Sequence, residues 1–296
     1  LLISLWANAQ QPLASLLEPS SGAPEGLLAT RSVVFFDQTV TMAEMSQLQQ
    51  GFQQTGIDAV LYLDVDKVTA GIEPSRAYSA YLNSREIRFI ILFSKVKDSY
   101  ECIVTSYNNA PSFVNAKQPS WKVTHRQLHE LVMTVYRDSW LTQKKQNFLI
   151  NDQPETDIQV PIISGRRSVL YPLDLKTDNI AILKSSDATL QSQIEELLNA
   201  VYPYPNKIKF IDAIPEVEKD LRRQGMQFIM HFVHCPGKTA KDLLGYDITR
   251  GESAYGSLTF PNGTPQVKTI PVETPIYKFY IKHVESGNVF LGTKWD

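Results

Sequence analysis

Ser32-Val33-Val34-Phe35-Phe36-Asp37, Thr41-Met42-Ala43-Glu44 and Ala59-Val60-Leu61-Tyr62-Leu63-Asp64 follow one another within residues 32–64, and their reading decides the fold. The first and third are short apolar runs closed by an aspartate, the pattern of strands buried on both faces. The second is a capping box, and Met45, Leu48 and Phe52 follow it at helical spacing until Gly56 stops the helix. A helix between two such strands is the crossover that parallel strands need. Working outward, Pro74 to Asn83 reads as a helix, Ile87 to Phe93 as a third strand and Tyr100 to Thr105 as a fourth. The order β-α-β-α-β-β argues an α/β layer with a mainly parallel sheet.

The same order returns further along. Asn179 to Leu183 is a strand, and Leu190, Ile194, Leu197, Leu198 and Val201 mark an amphipathic helix. Lys207 to Ile211 is a strand closing at Asp212, Pro215 to Arg223 a helix and Met226 to Val233 a strand. Leu82 to Phe93 aligns without a gap to Leu221 to Phe232, with Leu82 on Leu221, Phe89 on Phe228, Ile90 on Ile229 and Phe93 on Phe232. Shared element order and this match point to an internal duplication.

Thr124-His125-Arg126-Gln127 reads as another capping box, starting a helix with Leu128, Leu131, Val132 and Val135 on one face that runs to about Lys145. Ala254 to Phe260, the Pro261-Asn262-Gly263-Thr264 turn, Gln266 to Val272, Ile276 to His283 and Val289 to Gly292 read as an antiparallel meander. The expected organisation is therefore a flexible lead over 10–30, a first α/β domain over 31–160 and a second over 161–296 that ends in the meander.

The whole chain has 296 residues, with 29 Lys plus Arg against 31 Asp plus Glu and a formal net charge of -2. Binding to a phosphate backbone draws on a dense surplus of cations, so no nucleic-acid partner is expected. A 43% hydrophobic fraction with 20% charged residues excludes a disordered chain. Leu1 to Trp6 is apolar and runs into Ala7-Asn8-Ala9 ahead of Gln10, which reads as a truncated secretory signal peptide over 1–9. The expectation is export to the periplasm or cell envelope, as a soluble or peripherally attached protein without a transmembrane segment. Cys102 and Cys235 read as two buried thiols rather than a disulfide framework.

Three patterns could carry chemistry. Asp64-Val65-Asp66-Lys67-Val68, after a strand, resembles the first motif of haloacid-dehalogenase-type phosphotransferases. That resemblance makes Asp64 a nucleophile, Asp66 an acid/base and Ser94 the hydroxyl of a second motif, with Mg2+ as the cofactor under this reading alone. No downstream acidic pair completes the set, and paired carboxylates after a strand commonly serve as turn residues. Gly237-Lys238-Thr239 carries the end of a P-loop motif, but Phe232 stands where the first glycine belongs. His125 and His129 are four apart on the expected helix, and His231 and Cys235 share one face of a strand, so each pair could contribute to a metal site.

Lys241 to Asp247, Glu285 to Asp296 and Gln146 to Asp152 resemble segments of a family of exported bacterial proteins of uncharacterised function. The resemblance implies export and a longer C-terminus, and it carries over no catalytic residue. The signal-like start, the duplication and the absence of any complete catalytic motif lead to the expectation of an exported, non-enzymatic envelope protein acting as a scaffold or protein-interaction module with other envelope proteins as partners. The rival readings are an Mg2+-dependent phosphatase-like hydrolase and a phosphate- or nucleotide-binding protein.

Overall fold

The computed structural model describes residues 13–20, 22–142, 150–151, 153–156, 158–184, 188–212, 217–249, 251–259, 264 and 266–292, with the backbone alone at 189–190, 201, 217, 219 and 257–259. The signal-like Leu1 to Ala9, Gln146 to Phe148, Pro215, and Pro261 to Gly263 lie outside the described residues. The chain forms two compact units, an N-terminal one of Gln10–Thr69 and Pro74–Val160 and a C-terminal one built on Pro161–Asp296 with Ala70–Glu73.

The N-terminal unit contains β1 (Leu17–Pro19), β2 (Ser32–Phe36), α1 (Met42–Thr55), β3 (Ala59–Asp64), α2 (Val65–Val68), α3 (Ile72–Ser84, counted here from Pro74), β4 (Phe89–Val96), β5 (Ser99–Ser106), β6 (Gln118–His125) and α4 (Leu128–Leu141). The sheet order is β1-β6-β5-β4-β2-β3. Strands β3, β2 and β4 are parallel, β4, β5 and β6 antiparallel, and β1 runs parallel to β6. The capping box at Thr41 forms in full, with Thr41 Oγ1 accepting from Glu44 N at 3.2 Å and Glu44 Oε2 accepting from Thr41 N at 2.9 Å. Gly56 ends α1 at φ +78°, a conformation that glycine adopts without a Cβ clash.

The C-terminal unit contains β7 (Arg167–Ser168), β8 (Asn179–Leu183), α5 (Ala188–Val201), β9 (Ile208–Ile211), α6 (Val217–Leu221), β10 (Met226–Pro236), α7 (Gly237–Leu244), β11 (Ala254–Thr259), β12 (Gln266–Pro271), β13 (Pro275–His283) and β14 (Val289–Phe290). Its main sheet has the order β7-β14-β13-β10-β8-β9. Parallel and antiparallel pairings fall at the same places as in the first sheet. The duplication is therefore one of topology: β4 corresponds to β10, β5 to β13 and α1 to α5. The difference lies between β10 and β13, where α7 and the β11–β12 hairpin replace the tight turn that joins β4 to β5.

Two expectations need correction. The lead is packed rather than flexible: β1 pairs with β6, and Leu13, Leu27 and Leu28 are buried, because the edge of β6 and an apolar face are both available to it. The capping box at Thr124 does not form. Thr124 and His125 instead continue β6 opposite Glu101 and Tyr100, and α4 starts at Leu128 with Gln127 as an N-cap that makes no side-chain cap bond. The antiparallel meander-like strands are present as expected, β13 and β14 in the main sheet beside β10 and β11–β12 as a two-stranded sheet.

Candidate functional site

At the carboxyl edge of the first sheet, β2 and β3 end beside each other at Phe36 and Asp64, which brings Asp37, Asp64 and Asp66 to one region. Ligands in open α/β sheets bind at this edge. Asp64 Oδ1 is already engaged, accepting from Asp66 N at 2.9 Å as the cap of α2. Burial pushes the Asp64 carboxyl up to about 6, and burial together with the Asp37 charge raises Asp66. Ser94 lies on β4 opposite Glu101 and hydrogen-bonds neither aspartate among the described residues. The three aspartates do not form a set of donors close enough to share one cation. The geometry is that of a capped turn whose carboxylates are partly desolvated.

Gly237, Lys238 and Thr239 form the first turn of α7 rather than a loop ahead of it. Gly237 N donates to Thr274 O at 3.2 Å and Lys238 N to Val272 O at 3.1 Å, so two amides that a phosphate would need are used within the fold. A Cβ on Gly237 would stand 2.4 Å from the Tyr255 ring, which gives the glycine a packing reason. His125 and His129 do not share a helix face, because His125 belongs to β6, where its Nδ1 accepts from Gln127 N at 3.1 Å. Cys102 and Cys235 form no disulfide and are buried in separate units, and burial pushes the Cys102 thiol up to about 12.

His231 belongs to a different set from the one expected. It projects from β10 with Lys282 and Tyr280 of β13 toward Glu218 of α6 and Glu73. Lys282 Nζ lies 2.6 Å from Glu73 Oε2 and 2.9 Å from Glu218 Oε2. His231 is 3% exposed, and its Nε2 stands 3.4 Å from Glu218 Oε1 without a hydrogen bond. Burial raises the Glu218 carboxyl, but His231 and Lys282 outweigh burial and leave it well below the usual range. Burial likewise opposes the Lys282 charge, and the two carboxylates overcome it. Glu73, Glu218 and His231 are the one group among the described residues whose donor atoms could share a metal. The Lys282 ammonium already bridges the carboxylates, so the set works as an internal ion cluster, and Cys235 takes no part in it.

The other face of the C-terminal sheet carries a groove of about 620 Å3. Its floor is formed by Ile182, Met230, Phe232 and Phe279, one wall by Leu197 and Leu198 of α5, and the other by the 3-10 turn Leu173–Lys176. Leu173 is 78% exposed and Phe279 40% exposed. Sequence reading recovered α5 as amphipathic but missed the groove. A signal was present in the alternation of β13, where neither face is the polar one.

The chain matches no known family, no curated protein and no solved structure. Among the described residues no helix is long and apolar enough to cross a membrane.

Proposed function

We propose that this protein is an exported, non-enzymatic protein-interaction module and that the groove of its C-terminal unit is the receiving site. The observation that carries the reading is the groove itself, a concavity of about 620 Å3 with mainly apolar walls and large hydrophobic side chains at its mouth. Exposed apolar patches of this kind on soluble proteins mark sites of contact with other molecules. Export rests on the signal-like Leu1 to Ala9, and the partners are other proteins of the cell envelope.

The test places a photo-crosslinking residue at position 173 in cells that make the protein and recovers one defined adduct by mass spectrometry. The reading expects an adduct with an envelope protein that Phe279→Asp removes. Adducts that are unchanged by Phe279→Asp would sink it. The rival hydrolase is assayed in the same preparation, with a generic phosphomonoester and Mg2+. Turnover abolished by Asp64→Asn would replace the module reading with the enzyme.

A further inference from the structure

We propose that Glu73, Glu218 and His231 form a binding site for a divalent transition metal of the zinc class, and that the Lys282 ammonium holds the place of that ion until it arrives. All four residues belong to the C-terminal unit, and the site stands whether or not the groove receives a partner. The three donor atoms lie within 4.8 Å of one another. His231 is buried, and its Nε2 stands 3.4 Å from Glu218 Oε1 without a hydrogen bond. A buried nitrogen in that state costs stability unless another group satisfies it. Two ligands of a tetrahedral Zn2+ stand about 3.4 Å apart. The separation that fails as a hydrogen bond is therefore the one that a shared metal sets.

Lys282 Nζ marks where a cation belongs. It lies 2.6 Å from Glu73 Oε2 and 2.9 Å from Glu218 Oε2. With the imidazole neutral, the form that ligates metals, two carboxylates face one ammonium and a negative charge is left over inside the unit. Buried charge is stable only when it is balanced, and a divalent ion balances both carboxylates by itself. The ammonium also has a way out. The Lys282 side chain is 15% exposed, and a lysine stem lets the charged end reach water while its methylenes stay packed.

The fold itself does not call for these charges. Strand register puts Leu92 of the first unit where the second has His231, and Thr105 where it has Lys282. Ser79 stands as far ahead of Phe89 as Glu218 stands ahead of Phe228. Thr105 and Ser79 are buried and neutral, with Thr105 Oγ1 donating to Pro119 O at 2.9 Å and Ser79 Oγ 2.8 Å from the Tyr107 hydroxyl. The same topology thus closes over one apolar side chain and two hydroxyls. The second unit places an imidazole, an ammonium and a carboxylate at those positions, which desolvation opposes and a bound metal accounts for. One imidazole with two carboxylates suits Zn2+ and its neighbours rather than Mg2+, which takes oxygen ligands and keeps its waters.

The complete protein, untagged and dialysed against EDTA, is titrated with Zn2+ alone by isothermal titration calorimetry, with Mg2+ as the control. One equivalent of Zn2+ is expected to bind and to raise the melting temperature. His231→Leu should weaken that binding by about tenfold or more. Lys282→Met, which removes the resident cation, should bind Zn2+ more tightly than the wild type and regain stability with it. Zn2+ that binds His231→Leu as well as the wild type would overturn the site, as would the absence of saturable binding at millimolar Zn2+. Mg2+ binding as tight as that of Zn2+ would overturn the part of the imidazole and the site with it. Lys282→Met that binds Zn2+ no more tightly than the wild type, or stays unfolded with Zn2+ as without it, would overturn the exchange of ammonium for metal.

Discussion

Cys102 and Phe279 hold the same register position in the two sheets, yet Cys102 is buried and Phe279 is 40% exposed. Truncation should therefore act differently on the two units. Phe93→Ala, which empties a buried position in the first sheet, is expected to cost about 3–5 kcal/mol. Phe279→Ala should cost about 1–2 kcal/mol, because the ring is already partly in water. Urea denaturation of the two variants gives the comparison, and equal losses would mean that Phe279 is covered in solution.

Lys282 neutralises two carboxylates inside the C-terminal unit. Lys282→Met should destabilise that unit by about 3–5 kcal/mol, because Glu73 and Glu218 are left without their shared cation. His231→Leu should cost less than Lys282→Met, because it takes away one of the two groups that hold the Glu218 charge and leaves Lys282 beside it. It removes a buried nitrogen that has no hydrogen bond, and the first unit places Leu92 at the corresponding position. Thermal melts should therefore show the larger loss for Lys282→Met, and an equal or larger loss from His231→Leu would contradict the geometry.

Asp64 titrates in the opposite sense to a salt-bridged carboxylate. Burial raises its pKa to about 6 from 3.8, so its contribution to stability is fully present below pH 3.8 and is lost as pH rises through 6. Asp64→Asn keeps an oxygen for the Asp66 amide and removes the charge. It should stabilise the protein at pH 7.5 by on the order of 1 kcal/mol and have little effect near pH 4. Denaturation at the two pH values decides, and a loss at pH 7.5 would show that the ionised form is the favoured one.

Glu44 shows the usual sign. Hydrogen bonds from Lys95, from the Thr41 amide and from the Tyr100 hydroxyl lower its carboxyl to about 2 from 4.5. The stability it contributes is present above pH 4.5 and is lost as pH falls toward 2. Glu44→Gln should flatten the acid limb of the denaturation profile in that window, and an unchanged limb would count against the cluster.

Gly237 packs against Tyr255 at a distance that leaves no space for a methyl group. Gly237→Ala should destabilise by about 1–3 kcal/mol through overpacking. A phosphate loop would instead show its main loss in ligand binding. A melting-temperature shift with millimolar ATP that Gly237→Ala removes, without loss of stability, would reverse the assignment.

Local patterns in the chain determined the α/β class, the helix between Thr41 and Gly56, and the repeated order of elements, because each depends on spacing and capping within a few residues. The capping box at Thr124 misled for a physical reason: pairing with β5 claimed the backbone of Thr124 and His125 before a helix could begin. The candidate sites depended on distance between elements, which spacing along the chain does not encode. Only the tertiary structure placed His231 with Glu73 and Glu218, left Ser94 without a bond to the aspartates, and used the amides of Gly237 and Lys238 within the fold. It also showed that one register position is buried in the first unit, at Cys102, and 40% exposed in the second, at Phe279, a difference that depends on contacts between elements and not on the spacing of residues along a strand.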